Sequence, residues 1–268
     1  MIRKMLVTTM ALVFCAFASV SANAEALIKE IQDRGTLRIG VADGPPYQFP
    51  DAMSGEYVGL NIDLAKEAAK LLGVELEIVP ATWATLITGL QVKQYDVVFA
   101  NLFATPERAV TVTFTDAYDT YGFHVMVKDD SAIKSLADLN SPDVTFVAQA
   151  GTVEAKYPLE LFPESKMNAL ATDQANAPPL AVLSGQADAV FIDPGFYRIL
   201  STQNPDLFKS ARLLNGPDEL LKPVSLSYAL RHGDMDMLNF LNVFIHDKVA
   251  NGVIAAERDR WFDKMAEK

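Results

Sequence analysis

KQYDVVFANLFATPER, Lys93 to Arg108, holds the most telling pattern in this chain. Tyr95 to Ala100 is an apolar run led by one acid, Asp96, which is the pattern of a buried strand. Asn101 to Ala104 follows as a short turn. Thr105-Pro106-Glu107-Arg108 then presents an arginine just past the strand end. A guanidinium placed there can clamp a small anion, because its planar fork matches both oxygens of a carboxylate. Beside a second, acidic site it would read the two charged ends of a free amino acid.

The same rhythm extends in both directions. Leu37 to Ala42 and Val74 to Val79 are predicted strands. Between them Asn61 is predicted to cap a helix, with Ile62, Ala65, Ala69 and Leu72 at helical spacing and Gly73 as its stop. Leu86 to Gln94 reads as a short amphipathic helix. The order then resets. Gly122 to Lys128, Val144 to Ala148, Asp188 to Asp193 and Val224 to Leu230 are predicted strands. Helices are expected at Leu136 to Leu139, from Gly151-Thr152-Val153, at Leu180 to Ser184, at Phe196 to Thr202, and through Met237 to Lys268 with a break near Gly252. Two βα blocks in tandem imply mostly parallel sheets covered by helices. Gln94-Tyr95-Asp96-Val97-Val98 and Gln186-Ala187-Asp188-Ala189-Val190 echo each other across the blocks.

Residues 1–24 read as a secretory signal peptide. Arg3 and Lys4 form a basic start, Met5 to Val20 an apolar run, and Ala22-Asn23-Ala24 a small-residue cleavage site. The run is shorter than a bilayer needs. Cys15, the single cysteine, follows the bulky Phe14 and makes a poor lipid-attachment site. Without it the mature chain has no disulfide and no thiolate metal site. His124, His232 and His246 are scattered and show no metal spacing. The formal charge is −11, and removing Arg3 and Lys4 leaves −13. Such a balance argues against nucleic acid and anionic membrane surfaces as partners.

Several motifs in order resemble the periplasmic solute-binding proteins of the polar amino acid class, the receptors of ABC importers. Gly35 to Gly40 resembles that family's opening strand. Gly59-Leu60-Asn61-Ile62-Asp63-Leu64 resembles its Gly-Phe-Asp-x-Asp-Leu segment, with Asn61 at an acidic position. Lys93 to Val97, the Thr105 to Arg108 turn, Gly151-Thr152 and Ala187 to Asp193 complete the set. The resemblance implies a type II periplasmic-binding fold of class α/β. Its two lobes are each a mixed, mostly parallel sheet flanked by helices, with a ligand cleft between them. Residues 25–121 plus 223–268 would form one lobe and 122–222 the other. The chain crosses between them near Phe123-His124-Val125 and Ser225-Leu226-Ser227.

By position, the resemblance gives Arg108 the ligand carboxylate, helped by the Phe103 N–H and by Thr152 at Gly151. Asp193 would hold the ammonium, aided by the Asn101 carbonyl, unless it only caps the helix after it. Trp83, Asp43 and Tyr47 would line the cleft. Phe103 replaces a small polar residue, and Asn101 stands where glycine is common. The first loop, Asp43 to Tyr47, is about one residue short. The resemblance further implies capture of an amino acid or similar small carboxylate by lobe closure in the periplasm, delivery to an inner-membrane permease, a monomer and no cofactor; the departures at Phe103 and Asn101 leave room for another small carboxylate or amine. The same fold carries cyclohexadienyl and arogenate dehydratases. Those place a glutamate three residues after the strand-end Asp, where this chain has Phe196. Glu154, two residues after Thr152, is the other acid that could approach the cleft.

Overall fold

In the computed structural model, which describes residues 26–216 and 218–267, the two blocks form in the expected order. The expected signal segment and Cys15 lie outside the described residues. The first block contains helix α1 (Leu27–Arg34), strand β1 (Thr36–Val41), a small hairpin of β2 (Phe49–Pro50) and β3 (Tyr57–Val58), α2 (Leu60–Leu72), β4 (Glu75–Pro80), α3 (Leu86–Gln91) and β5 (Val97–Phe103). β1 lies between β4 and β5 and runs parallel to both. α4 (Pro106–Ala109) and β6 (Thr113–Phe114) then lead into the long β7 (Asp119–Lys128).

The second block contains β8 (Thr145–Gln149), α5 (Tyr157–Leu161), β9 (Lys166–Leu170), α6 (Ala177–Leu183), β10 (Ala189–Ile192), α7 (Pro194–Gln203), α8 (Pro205–Phe208) and β11 (Ala211–Leu213). β12 (Leu221–Leu230) returns to the first block, followed by α9 (Met235–Ala250) and α10 (Val253–Ala266). The strand order is β4-β1-β5-β12-β7-β10-β8-β9, with β6 beside β12 and β11 beside β7. β7 and β12 pair antiparallel, Leu226 opposite Asp119 and Leu221 opposite Phe123. These two strands alone tie the first-block strands to the second-block strands in that order.

The echoing Asp-led strands have a shared physical cause. Asp96 donates its backbone N–H to the Arg38 carbonyl (2.9 Å) and accepts the Arg38 N–H on its carboxylate (2.9 Å). Asp188 does the same to Thr145, at 2.9 and 2.8 Å. Each aspartate therefore sets the register of its strand against the parallel neighbour. In the first block the carboxylate also pairs with the Arg34 and Arg38 side chains. Tyr95, fully buried, fits only because its neighbours are small. A Cβ at Gly40 would lie 2.3 Å from its ring, and one at Gly89 would lie 2.4 Å from its hydroxyl.

Two local expectations are corrected. Asn61 does not cap α2. The helix starts at Leu60, two residues sooner than a cap at Asn61 would set it, after Gly59 at φ +124, and Asn61 lies buried inside its first turn. A Cβ at Gly59 would meet the Tyr47 carbonyl oxygen at 2.5 Å, so only glycine lets the chain enter here. Likewise Gly151-Thr152-Val153 opens no α-helix. It leads to a single 3-10 turn, Val153–Ala155, and α5 begins only at Tyr157. Leu136–Leu139 forms the expected short helix, of the 3-10 kind. Strand β9 was not foreseen, because its side chains alternate weakly and sit at a half-exposed edge. Among the described residues no helix is long and apolar enough to cross a membrane.

Candidate functional site

Arg108 is held by the turn that presents it. Thr105 caps α4 by accepting the Arg108 N–H (3.3 Å), and Pro106 occupies the first helical position, where no N–H is needed. The guanidinium then donates from Nη1 to the Phe103 carbonyl (2.9 Å) and from Nη2 to the Gly151 carbonyl (2.9 Å). The second contact crosses from the first block to the second. Gly151, at φ +84, is pressed against the backbone of Ala84, which a Cβ would approach to 2.6 Å. Lys156 and Glu107 add an ion pair (2.8 Å) across the same opening. The two blocks are therefore closed on each other.

Between them lies a cavity of about 110 Å³. The first block contributes Asp43, Trp83, Asn101, Phe103 and Arg108 to its wall; the second contributes Thr152, Glu154, Asp193 and Phe196. Three carboxylates thus face one guanidinium. Burial, reinforced by Asp173, pushes the Asp43 carboxyl up to about 6. Burial likewise raises Asp193 to about 6, against the lowering effect of hydrogen bonds from Tyr121, Phe196 and Gly195. Burial raises Glu154 as well, and Arg108 beside it works the other way. Loss of water lowers the Arg108 pKa, with Glu154 partly compensating. Every ionised group in this cavity is short of solvent and is best satisfied by an opposite charge.

Asp193 has both of its proposed positions. It caps α7, accepting from the Gly195 N–H (2.7 Å) and the Phe196 N–H (3.0 Å), and it also lines the cavity. Trp83 lies against the first loop, its Nε1 donating to the Asp43 carbonyl (2.9 Å). Phe103 packs on the rings of Tyr121 (6.1 Å) and Phe123 (5.5 Å). Thr152 turns its hydroxyl to the Gln149 carbonyl (2.8 Å), so it brings no full helix terminus to the cavity. Gly151 does not line the cavity; its carbonyl accepts from Arg108 instead. Tyr47 is a correction: it does not reach the cavity. It is 1% exposed, packed edge-on against Tyr121 and Phe262, with its hydroxyl toward Asp119 (3.4 Å).

Glu154, Tyr121, Gln149 and the Pro178-Pro179 pair also line the cavity. Pro178 and Pro179 read in sequence only as helix starters. Glu154 follows Thr152 on one tight turn, and that spacing was its single signal.

The family model of bacterial extracellular solute-binding proteins, family 3, matches residues 37–264. The chain is 29% identical over 224 residues to the arginine-binding extracellular protein ArtP of Bacillus subtilis (strain 168), covering 82% of this chain and 83% of that one. It is 28% identical over 265 residues to the L-cystine-binding protein TcyJ of Escherichia coli (strain K12), covering 97% and 95%. Among solved structures it resembles the ancestral amino acid-binding protein AncCDT-1, a precursor of cyclohexadienyl dehydratase. That match has a TM-score of 0.75 at 35% identity over 88% of this chain and 99% of the other.

Proposed function

The chain belongs to the bacterial extracellular solute-binding proteins of family 3, and on that premise we propose that it captures a free amino acid by lobe closure and hands it to an ABC permease. The observation that carries this reading is the charge layout of the closed cavity. Arg108 comes from one block and Asp193 from the other. Arg108 has two N–H groups on carbonyls and its remaining donors free for a carboxylate. Asp193, capped and desolvated, is suited to an ammonium. A zwitterion spanning the two satisfies both groups at once and bridges the blocks. Asp43, also in the wall and with a buried, unpartnered Oδ1, calls for a hydrogen-bond donor on the ligand side chain. Arginine and cystine, the ligands for which two relatives are named, carry such donors.

The lobes of this reading are residues 25–121 with 223–268, and 122–222. β7 and β12 act as the hinge, since they alone join the two strand sets. Export through a cleaved signal peptide places the receptor in the periplasm, working as a monomer. A thermal-shift screen of the amino acids, with small amines and organic acids as controls, tests the assignment. Amino acids should raise the melting temperature, because they bind the folded form alone. A rise with organic acids or amines only would sink it.

One observation favours the dehydratase alternative: Glu154 lies in the cavity wall with its carboxyl raised by burial. Against it, Phe196 lines the cavity where the dehydratase acid is expected, and a phenyl ring donates no proton. Incubation with prephenate and arogenate should leave both unchanged; rapid loss of either would establish the enzyme.

A further inference from the structure

Asn61 is neutral where the family's segment is acidic, and its surroundings use both ends of the amide. Nδ2 donates to Gln48 Oε1 (2.8 Å) and to the Tyr118 hydroxyl (3.2 Å), while Oδ1 accepts from the Tyr228 hydroxyl (3.0 Å). A carboxylate could accept from the two tyrosine hydroxyls but could not donate to Gln48 Oε1. Gln48, also fully buried, is oriented without ambiguity. Its Nε2 donates to the Ala42 carbonyl (2.8 Å), which can only accept. Its Oε1 accepts from the Asn101 backbone N–H (3.3 Å), which can only donate. The other hydrogen of Nε2 points at Asn101 Oδ1 (2.6 Å). The Asn101 oxygen is therefore turned inward, and its amide nitrogen is the end left for the cavity.

Next to it stands an acceptor. A Cβ at Gly44 would lie 2.5 Å from Asn101 Oδ1 and 3.2 Å from the Trp83 ring, which places the adjoining Asp43 at the same end of the cavity. Asp43 Oδ1 is buried and has no protein partner. This end thus offers one amide donor and one carboxylate acceptor together.

We propose that Asn101, oriented by Gln48 and Asn61, is a specificity-determining residue that donates from Nδ2 to an acceptor oxygen at the far end of the ligand, while Asp43 accepts from a donor beside it. The inference rests on the amino-acid receptor reading. It selects side chains that end in both kinds of group, such as the carboxamide of glutamine or the second amino-acid end of cystine. Lysine and arginine end in donors alone and would leave the Asn101 N–H facing another donor, a mismatch that discriminates strongly in a desolvated site.

The test is calorimetric titration of the purified protein with L-glutamine, L-cystine, L-lysine and L-arginine, alongside Asn101→Asp and Gln48→Glu variants. The native protein should bind glutamine or cystine at least about tenfold more tightly than lysine or arginine. Asn101→Asp keeps the oxygen that Gln48 holds and puts a second oxygen in the cavity, so the order should invert. Gln48→Glu removes the donor that anchors Asn101 and should turn its amide over, shifting preference the same way without touching the ligand. A merely structural role for Gln48 would lower the melting temperature and leave the order of ligands intact. Preference for lysine or arginine in the native protein, or an order that Asn101→Asp does not change, overturns the role of Asn101 and leaves the receptor reading standing. Binding of none of the four overturns the role of Asn101, and if no other amino acid raises the melting temperature it overturns the receptor reading too.

Discussion

Arg108 donates to two carbonyls and still has N–H groups to offer, so the proposed ligand carboxylate completes its shell rather than displacing it. Arg108→Lys keeps the charge and loses the fork, and should weaken ligand binding roughly tenfold to a hundredfold in calorimetry. An unchanged affinity with a folded variant would remove Arg108 from the site. The acids make a second prediction at this scale. Asp193 and Asp43 are pushed up to about 6, so below that pH they hold protons and cannot receive a cation. Affinity should fall about fivefold between pH 6 and pH 5 for each carboxylate the ligand requires ionised. The stability contribution has the opposite sign. Their folded pKa lies above the unfolded value, so their contribution is most favourable below about pH 4 and is lost as pH rises through about 6. A flat affinity profile from pH 7.5 to 5 would deny both groups a charged role. Arg108, Asp193 and Trp83 were legible from motif position. The orientation of Asn101 was not, because it depends on Gln48, and no spacing rule links those two residues.

Among the elements, the Asp-led strands show why the two blocks look alike. A carboxylate just before a parallel strand can tie the neighbouring strand's N–H, and both blocks use it. The surroundings differ, and so should the energies. Asp96 is fully buried and holds two arginines that are themselves about a quarter exposed. Asp96→Asn should destabilise by about 2–3 kcal/mol in urea unfolding. Asp188 is exposed and makes the backbone bond alone, so Asp188→Asn should cost about 1 kcal/mol or less. Equal losses would mean that the arginine pairing adds nothing. The helix starts were the least legible elements. Asn61 has the ordinary look of a cap, yet Gly59 admits the chain into α2 sooner and draws the asparagine into the core. Thr152 has the look of a helix opener, yet its hydroxyl satisfies a carbonyl behind it and the chain makes only one tight turn.

At the level of the whole molecule, closure rests on few contacts that owe nothing to a ligand. The Lys156–Glu107 pair is exposed and contributes little. Gly151 matters more, since its bare backbone lets the second block approach Ala84 while its carbonyl meets Arg108. Gly151→Ala should hold the blocks apart, because φ +84 and a Cβ 2.6 Å from Ala84 both resist closure. Ligand affinity should drop at least about tenfold, and small-angle scattering with saturating ligand should still show the more extended form. Normal compaction and normal affinity would dismiss the steric gate. Local pattern was enough to establish the alternating strands and helices, the two successive blocks and the arginine turn, because each is written in neighbouring residues. It could not place Tyr47 outside the cavity, Glu154 in the wall or the Asn101 nitrogen toward the cavity. Those depend on contacts such as Tyr228 to Asn61, separated by 167 positions, which exist only once β12 has crossed back beside β5. Hydrogen-bond direction in a dry interior is settled by the partners that folding supplies, and neighbouring residues carry no record of it.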